Sequence, residues 1–245
     1  MKSVKKSFSS GAKTYDKVAR IQPIVAERLA AKLTGKPARI LEIGCGTGAL
    51  SVHLSKQFSK SELVLTDISL SMLEVCKKKL RGNATFEMMN GEKPNVSLGH
   101  FDLIISNLAM QWFDDLSGGI RSLTKMLAPD GLLAFSTLGK DNFPEWRGLL
   151  SKYNFSSGLH SYPDVKQLQC LVGFKGLVEE EFIAEKHDSG VAFLKALKAI
   201  GAATPQASHH PLSLRELKRV LLDSAEGFSV TYHILYGFFH ANYDV

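Results

Sequence analysis

The chain has 245 residues, of which 44% are hydrophobic and 22% are charged, and its 30 Lys and Arg against 24 Asp and Glu give a net charge of +6. This length suits one large α/β domain, and no apolar run approaches the roughly 20 residues of a membrane span. The basic residues are dispersed, so the charge favours acidic partners without indicating nucleic acid. No apolar segment follows the basic N-terminus, and we expect a cytoplasmic protein without a secretory signal.

The cysteine and histidine patterns indicate neither a disulfide framework nor a metal site. Cys45, Cys76 and Cys170 are widely spaced and form no Cys-x-x-Cys pair, so we expect reduced thiols. The eight histidines show no spacing typical of metal ligands. We therefore expect no metal cofactor.

The chain begins with a polar and basic segment, residues 1–20, and helical spacing follows over residues 18–33. We expect residues 1–36 to form a helix-bearing arm that covers a site. An apolar run, 38–43, then leads into Leu41-Glu42-Ile43-Gly44-Cys45-Gly46-Thr47-Gly48, and helical spacing resumes at Ala49. The glycines thus fall on a strand-to-helix turn, where the main chain can approach a ligand and helix N–H groups attract negative charge. A tight turn that binds nothing is the alternative.

The second strand, 62–67, ends in Asp67, which lies 19 residues beyond Gly48. A carboxylate at this place lies beside the glycine loop and can accept both hydroxyls of a ribose. The alternative is a helix cap for the segment 69–80.

Further strands are predicted at 84–89, 101–107 and 132–137, with a helix at 120–127 and a turn at 129–131. Strands that alternate with helices require a parallel sheet, and such sheets bind ligands beyond the carboxyl ends of their strands. We therefore expect Asp67, Asn90 and Asn107 to meet the glycine loop at that edge.

The second half of the chain is less regular. The pattern loosens over 139–163, and then predicts helices at 165–172, 190–200 and 214–222 and strands at 177–186 and 228–241. The predicted fold is α/β and Rossmann-like, with a mostly parallel seven-stranded sheet, an antiparallel last strand and a helical lid insertion. We expect residues 37–138 to form the cofactor-binding core, 139–227 the rest of the core with the lid helices, and 228–245 the last strand.

The spacing of the glycines bears on the ligand class. A dinucleotide-binding loop normally reads G-x-G-x-x-G, whereas here the third glycine comes one residue early and Glu42 stands two residues before the first. We take the early glycine to indicate a wider loop around the amino-acid end of S-adenosylmethionine, which carries no pyrophosphate. Hydride-transfer enzymes are therefore disfavoured.

The motif Glu-x-Gly-x-Gly-x-Gly followed by Asp67 resembles the class I S-adenosylmethionine-dependent methyltransferases. More selective runs resemble the malonyl-acyl-carrier-protein O-methyltransferases of biotin synthesis, the BioC family: residues 8–16, Ser106-Asn107-Leu108-Ala109, Gln111-Trp112, residues 194–202 and Thr231-Tyr232-His233. The resemblance implies S-adenosylmethionine as cofactor, S-adenosylhomocysteine as product, and a malonyl thioester of acyl carrier protein, or of CoA, as substrate.

The resemblance also implies a set of cofactor-binding residues. They are Tyr15, Gln22, Glu42, Gly44, Cys45, Gly46, Gly48, Asp67, Ile68, Met72, Asn90, Gly91, Asn107 and Ala109. One position departs from the family, because Asn90 stands where an aspartate is usual. An amide oxygen can still accept a hydrogen bond from the adenine amino group, so we expect weaker adenine binding.

A malonyl carboxylate needs little chemical activation. Its reference pKa is near 4, so the nucleophile is already ionised and no general base is required. We expect in-line positioning to supply the rate enhancement, an effect of roughly 7 to 11 kcal/mol. Candidates for holding the malonyl oxygens are Arg147, Lys198, Tyr232 and His233, and the resemblance implies that Tyr15 and Trp112 close over the methyl donor. The alternatives are a solvated helix face for Lys195 and Lys198, ordinary strand positions for residues 232–233, and core packing for Trp112.

An acidic acyl carrier protein predicts a basic rim around the site. The candidate cations are Lys13, Lys17, Arg20, Lys195, Arg215, Lys218 and Arg219. We expect a monomer that binds neither nucleic acid nor membrane. An amino-methylating enzyme is disfavoured because Leu108-Ala109-Met110, and not Pro-Pro-aromatic, follows Asn107. A carboxyl methyltransferase of trans-aconitate type and a non-catalytic methyltransferase-like assembly protein are the open alternatives.

Overall fold

Seven strands of the described residues pair into one sheet in the order β3-β2-β1-β4-β5-β7-β6. The computed structural model describes residues 2–12, 14–80, 82, 84–172, 176–202 and 211–241. Strands β1 to β5 are parallel, and β7 runs antiparallel to both β5 and β6. The strands are β1 (Arg39–Ile43), β2 (Glu62–Asp67), β3 (Ala84–Met88), β4 (Phe101–Asn107), β5 (Leu127–Leu138), β6 (Gly176–His187) and β7 (Phe228–His240).

Helices cover both faces of the sheet. Because strand side chains alternate between the faces, Ile40 of β1 joins one apolar core and Leu41 joins the other. Helices α3, α4, α5, α7 and α9 contribute to the first core, and α6 and α8 pack on the second. The helices are α1 (Lys2–Gly11), α2 (Tyr15–Val18), α3 (Ile21–Ala31), α4 (Ala49–Gln57), α5 (Leu70–Lys79), α6 (Leu116–Thr124), α7 (Pro144–Ser151), α8 (Val165–Val172), α9 (Gly190–Ala199) and α10 (Leu214–Leu222). No helix among the described residues is both long and apolar enough to span a bilayer.

The mostly parallel sheet with an antiparallel last strand is confirmed, whereas several helix boundaries differ from the prediction. Helix α6 begins at Leu116, before the predicted residue 120, because the Asp115 side chain caps it by accepting a hydrogen bond from Gly118 N. Strand β5 begins at Leu127 and includes the turn predicted at 129–131 as an irregularity in its pairing with β4. Local glycines disfavour a helix at α6, and the cap offsets that preference.

Three helices lie outside the predicted ones. Helices α1 and α2 lie in residues 1–20, for which only a polar and basic character is predicted, and α7 lies in the segment that lacks periodicity. Pro144 stands in the first turn of α7, and Trp146, Leu149 and Leu150 are buried on its inner face. Helix α7 is thus held by its packing on the core more than by a sequence pattern of its own.

Candidate functional site

The three glycines of the loop after β1 all have left-handed backbone conformations, with φ of 68° at Gly44, 53° at Gly46 and 90° at Gly48. A Cβ on Gly44 would overlap the Cβ of Ala109, and one on Gly48 would lie 2.9 Å from Cys76 Sγ, whereas one on Gly46 would meet nothing within 4 Å. Gly44 therefore allows close packing against the loop after β4, and Gly46 leaves open space for a ligand.

Gly48 has a different role from the one that its spacing suggested. We expected the early third glycine to widen the loop around the ligand. The structure instead places it against Cys76 of α5, where the absence of a Cβ permits close packing of two helices. Gly48 is not among the residues that line the cavities described below.

Asp67 braces the glycine loop from the end of β2. Its Oδ2 accepts a hydrogen bond from Gly46 N at 2.9 Å, and its Oδ1 accepts one from Ser69 N at 2.8 Å. Burial raises the pKa of this carboxyl, while the backbone N–H donors oppose the rise. The cap of α5 is Ser69, whose side chain accepts from Met72 N, so Asp67 is not the helix cap.

Two cavities lie beside the glycine loop and share Tyr15, Gly44 and Gly46. The larger has about 660 Å³ including its mouth, and its wall holds the Asp67 carboxylate among mostly apolar side chains: Phe8, Ile43, Ile68, Met72, Met89, Gly91, Ala109, Trp112 and Phe113. The smaller has about 330 Å³ and a more polar wall that includes Gln22, Glu42, Cys45 and Asn107. The two fit a ligand with an apolar ring system at one end and a polar group at the other.

Glu42 is the buried acid of the smaller cavity, with 1% of its surface exposed. Burial raises the pKa of its carboxyl to about 8, even though Ser51 Oγ donates a hydrogen bond to its Oε2 at 2.6 Å. Glu42 is therefore mostly protonated at neutral pH while the cavity holds no cation. A cationic ligand favours its ionised form.

A third cavity, of about 990 Å³ with its mouth, shares Phe8, Tyr15 and Trp112 with the larger of the two cavities beside the glycine loop. Its wall comes from α7, α9, β7 and the segment 157–162, and contains no Lys, Arg, Asp or Glu among the described residues. Trp112 packs edge-on against Phe8, with ring centroids 5.7 Å apart, and against His160, at 5.8 Å. These rings form the partition between the two cavities.

Gln111 offers an unused acceptor at the wall of the third cavity. Its Nε2 donates to Leu108 O at 2.7 Å, which fixes the orientation of the amide. Its Oε1 is buried and has no hydrogen-bond partner among the described residues. A buried acceptor without a donor is costly, so this oxygen is suited to an N–H group of a ligand.

The structure brings only part of the predicted substrate site together. Tyr232 lines the third cavity, but His233 is the next residue of β7 and faces the other side of the sheet, where Glu180 and the N–H of Asp141 contact its ring. Lys198 is exposed on the outer face of α9, because Leu197 and Leu194 take the face toward the cavity. The prediction that His233 and Lys198 hold the malonyl oxygens is therefore wrong in this structure, because neither side chain reaches the cavity.

Arg147 and Asn90 are also absent from the cavity walls. The Arg147 side chain binds the main chain of the protein, because its Nε donates a hydrogen bond to Asn142 O at 3.0 Å. Asn90 Oδ1 accepts a hydrogen bond from Glu92 N at 3.0 Å, while the residues on either side of Asn90 line the larger of the two cavities beside the glycine loop. A change of loop conformation or a ligand contact at the rim is needed for either side chain to act.

Several cavity residues were missed by the sequence analysis: Phe143, Trp146, His160, Tyr162 and Gln111 as a wall residue. Four of them lie in residues 139–163, where no periodic pattern existed to place them. The signal that was available is the aromatic content of that segment, which also holds Tyr153 and Phe155.

The N-terminal arm is fastened over the site by polar contacts at three places. Ser9 Oγ lies 2.9 Å from Ser69 Oγ, and Asn107 Nδ2 donates to the carbonyl of Gln22 at 3.1 Å. Asp16 accepts a hydrogen bond from Thr47 of the glycine loop at 2.6 Å and pairs with Lys79 of α5 at 2.6 Å. The arm thereby brings Phe8 and Tyr15 to the cavities.

Comparison with known proteins places this site in a family. A family described as a methyltransferase domain matches residues 41–133. A malonyl-[acyl-carrier protein] O-methyltransferase of Magnetococcus marinus is 43% identical over 95% of this chain and 90% of its own length. One from Priestia megaterium is 33% identical over 95% of this chain and 94% of its own. The biotin biosynthesis bifunctional protein BioCD of Bordetella avium is 38% identical over 96% of this chain, which spans 52% of that longer protein.

Solved structures share the fold at low identity. The N-methyltransferase NodS of Bradyrhizobium japonicum, solved with S-adenosylhomocysteine, has a TM-score of 0.56 and 14% identity, with 97% of each chain covered. A putative methyltransferase of Bacillus halodurans has a TM-score of 0.62 and 10% identity, with 91% of this chain and 99% of that chain covered. These likenesses confirm the class I methyltransferase fold.

Proposed function

Because this chain belongs to the malonyl-[acyl-carrier protein] O-methyltransferase family, we propose that it methylates the free carboxylate of a malonyl thioester on an acyl carrier protein. S-adenosylmethionine is the methyl donor, and the bifunctional relative places the reaction in biotin biosynthesis. The observation that carries the proposal is the junction at Phe8, Tyr15 and Trp112. There the larger cavity beside the glycine loop, which suits a nucleoside-sized ligand, borders the third cavity, which we call the acceptor cavity.

The residues present fit the cofactor. S-adenosylmethionine supplies a methyl group on a positively charged sulfur, which is an electrophile. Asp67 has a further acceptor site on each oxygen for ribose hydroxyls, and the apolar wall with Ile68 and Met72 suits an adenine ring. Glu42, in the smaller cavity, suits the ammonium of the amino-acid end. Gly46 leaves the main chain open between the two cavities.

The acceptor cavity matches the needs of a carboxylate nucleophile. Transfer exchanges a sulfur–methyl bond for an oxygen–methyl bond and yields a methyl ester and S-adenosylhomocysteine, so no proton has to be removed from an ionised malonyl group. Cations that paired tightly with the carboxylate would weaken its attack, and the described wall holds none. Its aromatic side chains exclude water and restrict the orientation of the acyl group, and positioning of this kind contributes roughly 7 to 11 kcal/mol.

Tyr232 shapes this cavity without serving as a free donor. Burial raises the pKa of its hydroxyl well above the usual value, and the Glu185 carboxylate, to which the hydroxyl donates, adds to the rise. Tyr15 is likewise held neutral, because burial and the nearby acids Asp67 and Asp16 raise its pKa. We infer that the two phenols position the substrate and cofactor as neutral groups.

The proposal extends to the setting of the enzyme. Cys45, Cys76 and Cys170 are all free thiols, which supports a reducing compartment such as the cytoplasm. We propose a monomer with an acyl carrier protein as its macromolecular partner. Analytical ultracentrifugation tests the oligomeric state, and a sedimentation equilibrium at twice the chain mass of 26.9 kDa contradicts it.

Incubation with S-adenosylmethionine labelled in the methyl group tests the reaction. We expect base-labile label on malonyl-acyl carrier protein, and no comparable label on trans-aconitate. Label on trans-aconitate alone identifies the chain as the other type of carboxyl methyltransferase. Absence of S-adenosylmethionine binding in calorimetry identifies it as an assembly protein.

A matched pair of variants links the reaction to the acceptor cavity. Ala202→Phe places a ring in that cavity, while Ala184→Phe places the same ring on the exposed side of the edge strand β6. We expect Ala202→Phe to lower kcat/KM for malonyl-acyl carrier protein about 100-fold, a loss typical of a misplaced acyl group, with the Kd of S-adenosylmethionine unchanged. Equal activity in the two variants contradicts the assignment of the cavity.

A further inference from the structure

We propose that helix α10 is the docking surface for the acyl carrier protein, which approaches it with an acidic helix that carries apolar residues between its carboxylates. This inference rests on the proposed function, because it assigns a place to the macromolecular substrate of that reaction. It narrows the basic rim expected from the sequence to one helix and adds an apolar component.

The outer face of α10 combines cations with exposed leucines. At 3.6 residues per turn, five consecutive positions of the helical wheel face outward, and all five side chains are exposed: Leu214, Lys218, Leu222, Arg215 and Arg219. Leu214 and Leu222 are 79% and 74% exposed, more than any other large apolar side chain of the described residues. A helix face that met only water would not need two leucines there, whereas an amphipathic partner helix buries them.

The acidic residue of α10 does not neutralise this face. Glu216 belongs to a capping box at the start of the helix, where its Oε2 accepts a hydrogen bond from Ser213 N at 2.8 Å. It is half-buried on the side of the helix toward Val220 and Leu217. The face with two leucines and three cations therefore presents positive charge to a partner and attracts carboxylates.

The other cations expected in the rim are less suited to docking. Arg20 lies 3.9 Å from Glu185, and the groove that it shares with Lys17 also contains Asp188. The Glu185 carboxylate thus offsets the charge of Arg20, and the groove as a whole mixes acidic side chains with the basic Lys17 and Lys186. Lys195 is exposed on α9 but has no exposed leucine in the adjacent turns, and Lys13 lies outside the described residues.

A chain of ring contacts connects α10 to the acceptor cavity. The Arg219 guanidinium lies over the Tyr153 ring at 5.0 Å, and Tyr153 stacks on Phe155 with ring centroids 6.2 Å apart. Two residues further along, Ser157 begins the segment that lines the cavity. A carrier seated on α10 therefore lies close to the segment that lines the acceptor cavity.

The test compares two double variants that reverse two positive charges each, one on α10 and one far from the site. Arg215→Glu/Lys218→Glu alters the outer face of α10, and neither side chain shares in the capping box. The control is Lys36→Glu/Lys60→Glu, at two exposed positions that precede β1 and β2 and so lie at the sheet edge opposite the site. Both variants change the charge of the protein by the same amount. Each is assayed with malonyl-acyl carrier protein and with malonyl-pantetheine, which retains the thioester and lacks the carrier.

We expect the α10 reversal to raise KM for malonyl-acyl carrier protein about 10- to 100-fold at low salt, with kcat unchanged, and the control to leave it near the wild-type value. We expect the wild type, the α10 reversal and the control reversal to methylate malonyl-pantetheine equally. Equal effects of the two reversals, or a parallel loss with malonyl-pantetheine, overturn the docking surface. If the wild-type protein methylates neither thioester, the proposed function fails together with the docking surface. Failure of the docking surface alone leaves the wild type active on both thioesters.

A second variant separates docking from charge alone. Leu214→Ser/Leu222→Ser removes only exposed apolar groups, so the fold is retained. We expect it to raise KM for the carrier substrate about 5- to 50-fold at low and high salt alike, because burial of apolar area is not screened. An unchanged KM in this variant shows that no apolar contact forms on α10 and contradicts the proposal. Calorimetric titration with S-adenosylmethionine verifies that each variant keeps its cofactor site.

Discussion

Binding of S-adenosylmethionine should release about one proton from Glu42 at pH 6.5. Burial holds the pKa of this carboxyl at about 8, against 4.5 for an ordinary glutamate. In the proposed binding mode the ammonium of the cofactor occupies the cavity that Glu42 lines, where it favours the carboxylate and lowers that pKa. Glu42→Gln retains an oxygen for the hydrogen bond from Ser51 and removes the titrating proton.

The magnitude follows from the charge pair. Two opposite charges about 4 Å apart attract by about 4 kcal/mol at an effective dielectric constant near 20, and 1.36 kcal/mol corresponds to a tenfold change in an ionisation constant. The bound pKa of Glu42 then falls to about 5. At pH 6.5 the free carboxyl is almost fully protonated and the bound one is almost fully ionised. The amino group of the cofactor, with a reference pKa of about 7.7 to 8.0, is already charged and contributes little.

Calorimetry in two buffers with different ionisation enthalpies measures the proton count. The slope of the observed binding enthalpy against buffer ionisation enthalpy should correspond to about 0.9 proton released for the wild type and close to zero for Glu42→Gln. Glu27→Gln, on the exposed side of α3, is the control and should match the wild type. A wild-type slope of zero, or an undiminished slope in Glu42→Gln, would refute the assignment of Glu42 to the ammonium.

The Glu42 carboxyl makes the cofactor-free protein less stable as the pH rises from about 4.5 to about 8, because the unfolded chain releases this proton at a lower pH than the folded one. Urea titrations should show that the free energy of unfolding falls by at most about 5 kcal/mol over this range in the wild type, with a flatter profile in Glu42→Gln. Gly44→Ala should abolish cofactor binding and lower Tm strongly, since its Cβ would overlap Ala109, whereas Gly46→Ala meets open space and should cost about 1 to 2 kcal/mol of backbone strain. A larger fall in Tm for Gly44→Ala than for Gly46→Ala verifies the close packing of Gly44 against Ala109. Asp16→Ala removes the bonds from the arm to the glycine loop and to α5 and should speed S-adenosylmethionine dissociation about 3- to 30-fold in stopped-flow measurements, and an unchanged rate contradicts a closing role for the arm.

The sequence determined the central half of the fold because that half is built from local rules. Apolar runs such as 101–107 suit strands buried on both faces, and the alternation of strands with helices predicts a parallel sheet. Asp67 could be chosen because the carboxyl ends of parallel strands lie at the same edge of the sheet. Glu42 was chosen by its place in the Glu-x-Gly-x-Gly-x-Gly motif that carries the family resemblance. The selective runs near Trp112 and in residues 194–202 identified the family by resemblance, which local physics alone does not supply.

Only the tertiary structure decided which side chains face the acceptor cavity. Tyr232 and His233 are adjacent in the sequence, yet the pleat of β7 sends the first to the cavity and the second to the opposite face of the sheet. Lys198 looked suited to a carboxylate by its charge, but the apolar residues of α9 compete for the inner face and leave it outside. The cavity was therefore lined by rings from a segment without periodicity, because packing against distant elements, and not local pattern, fixed their positions.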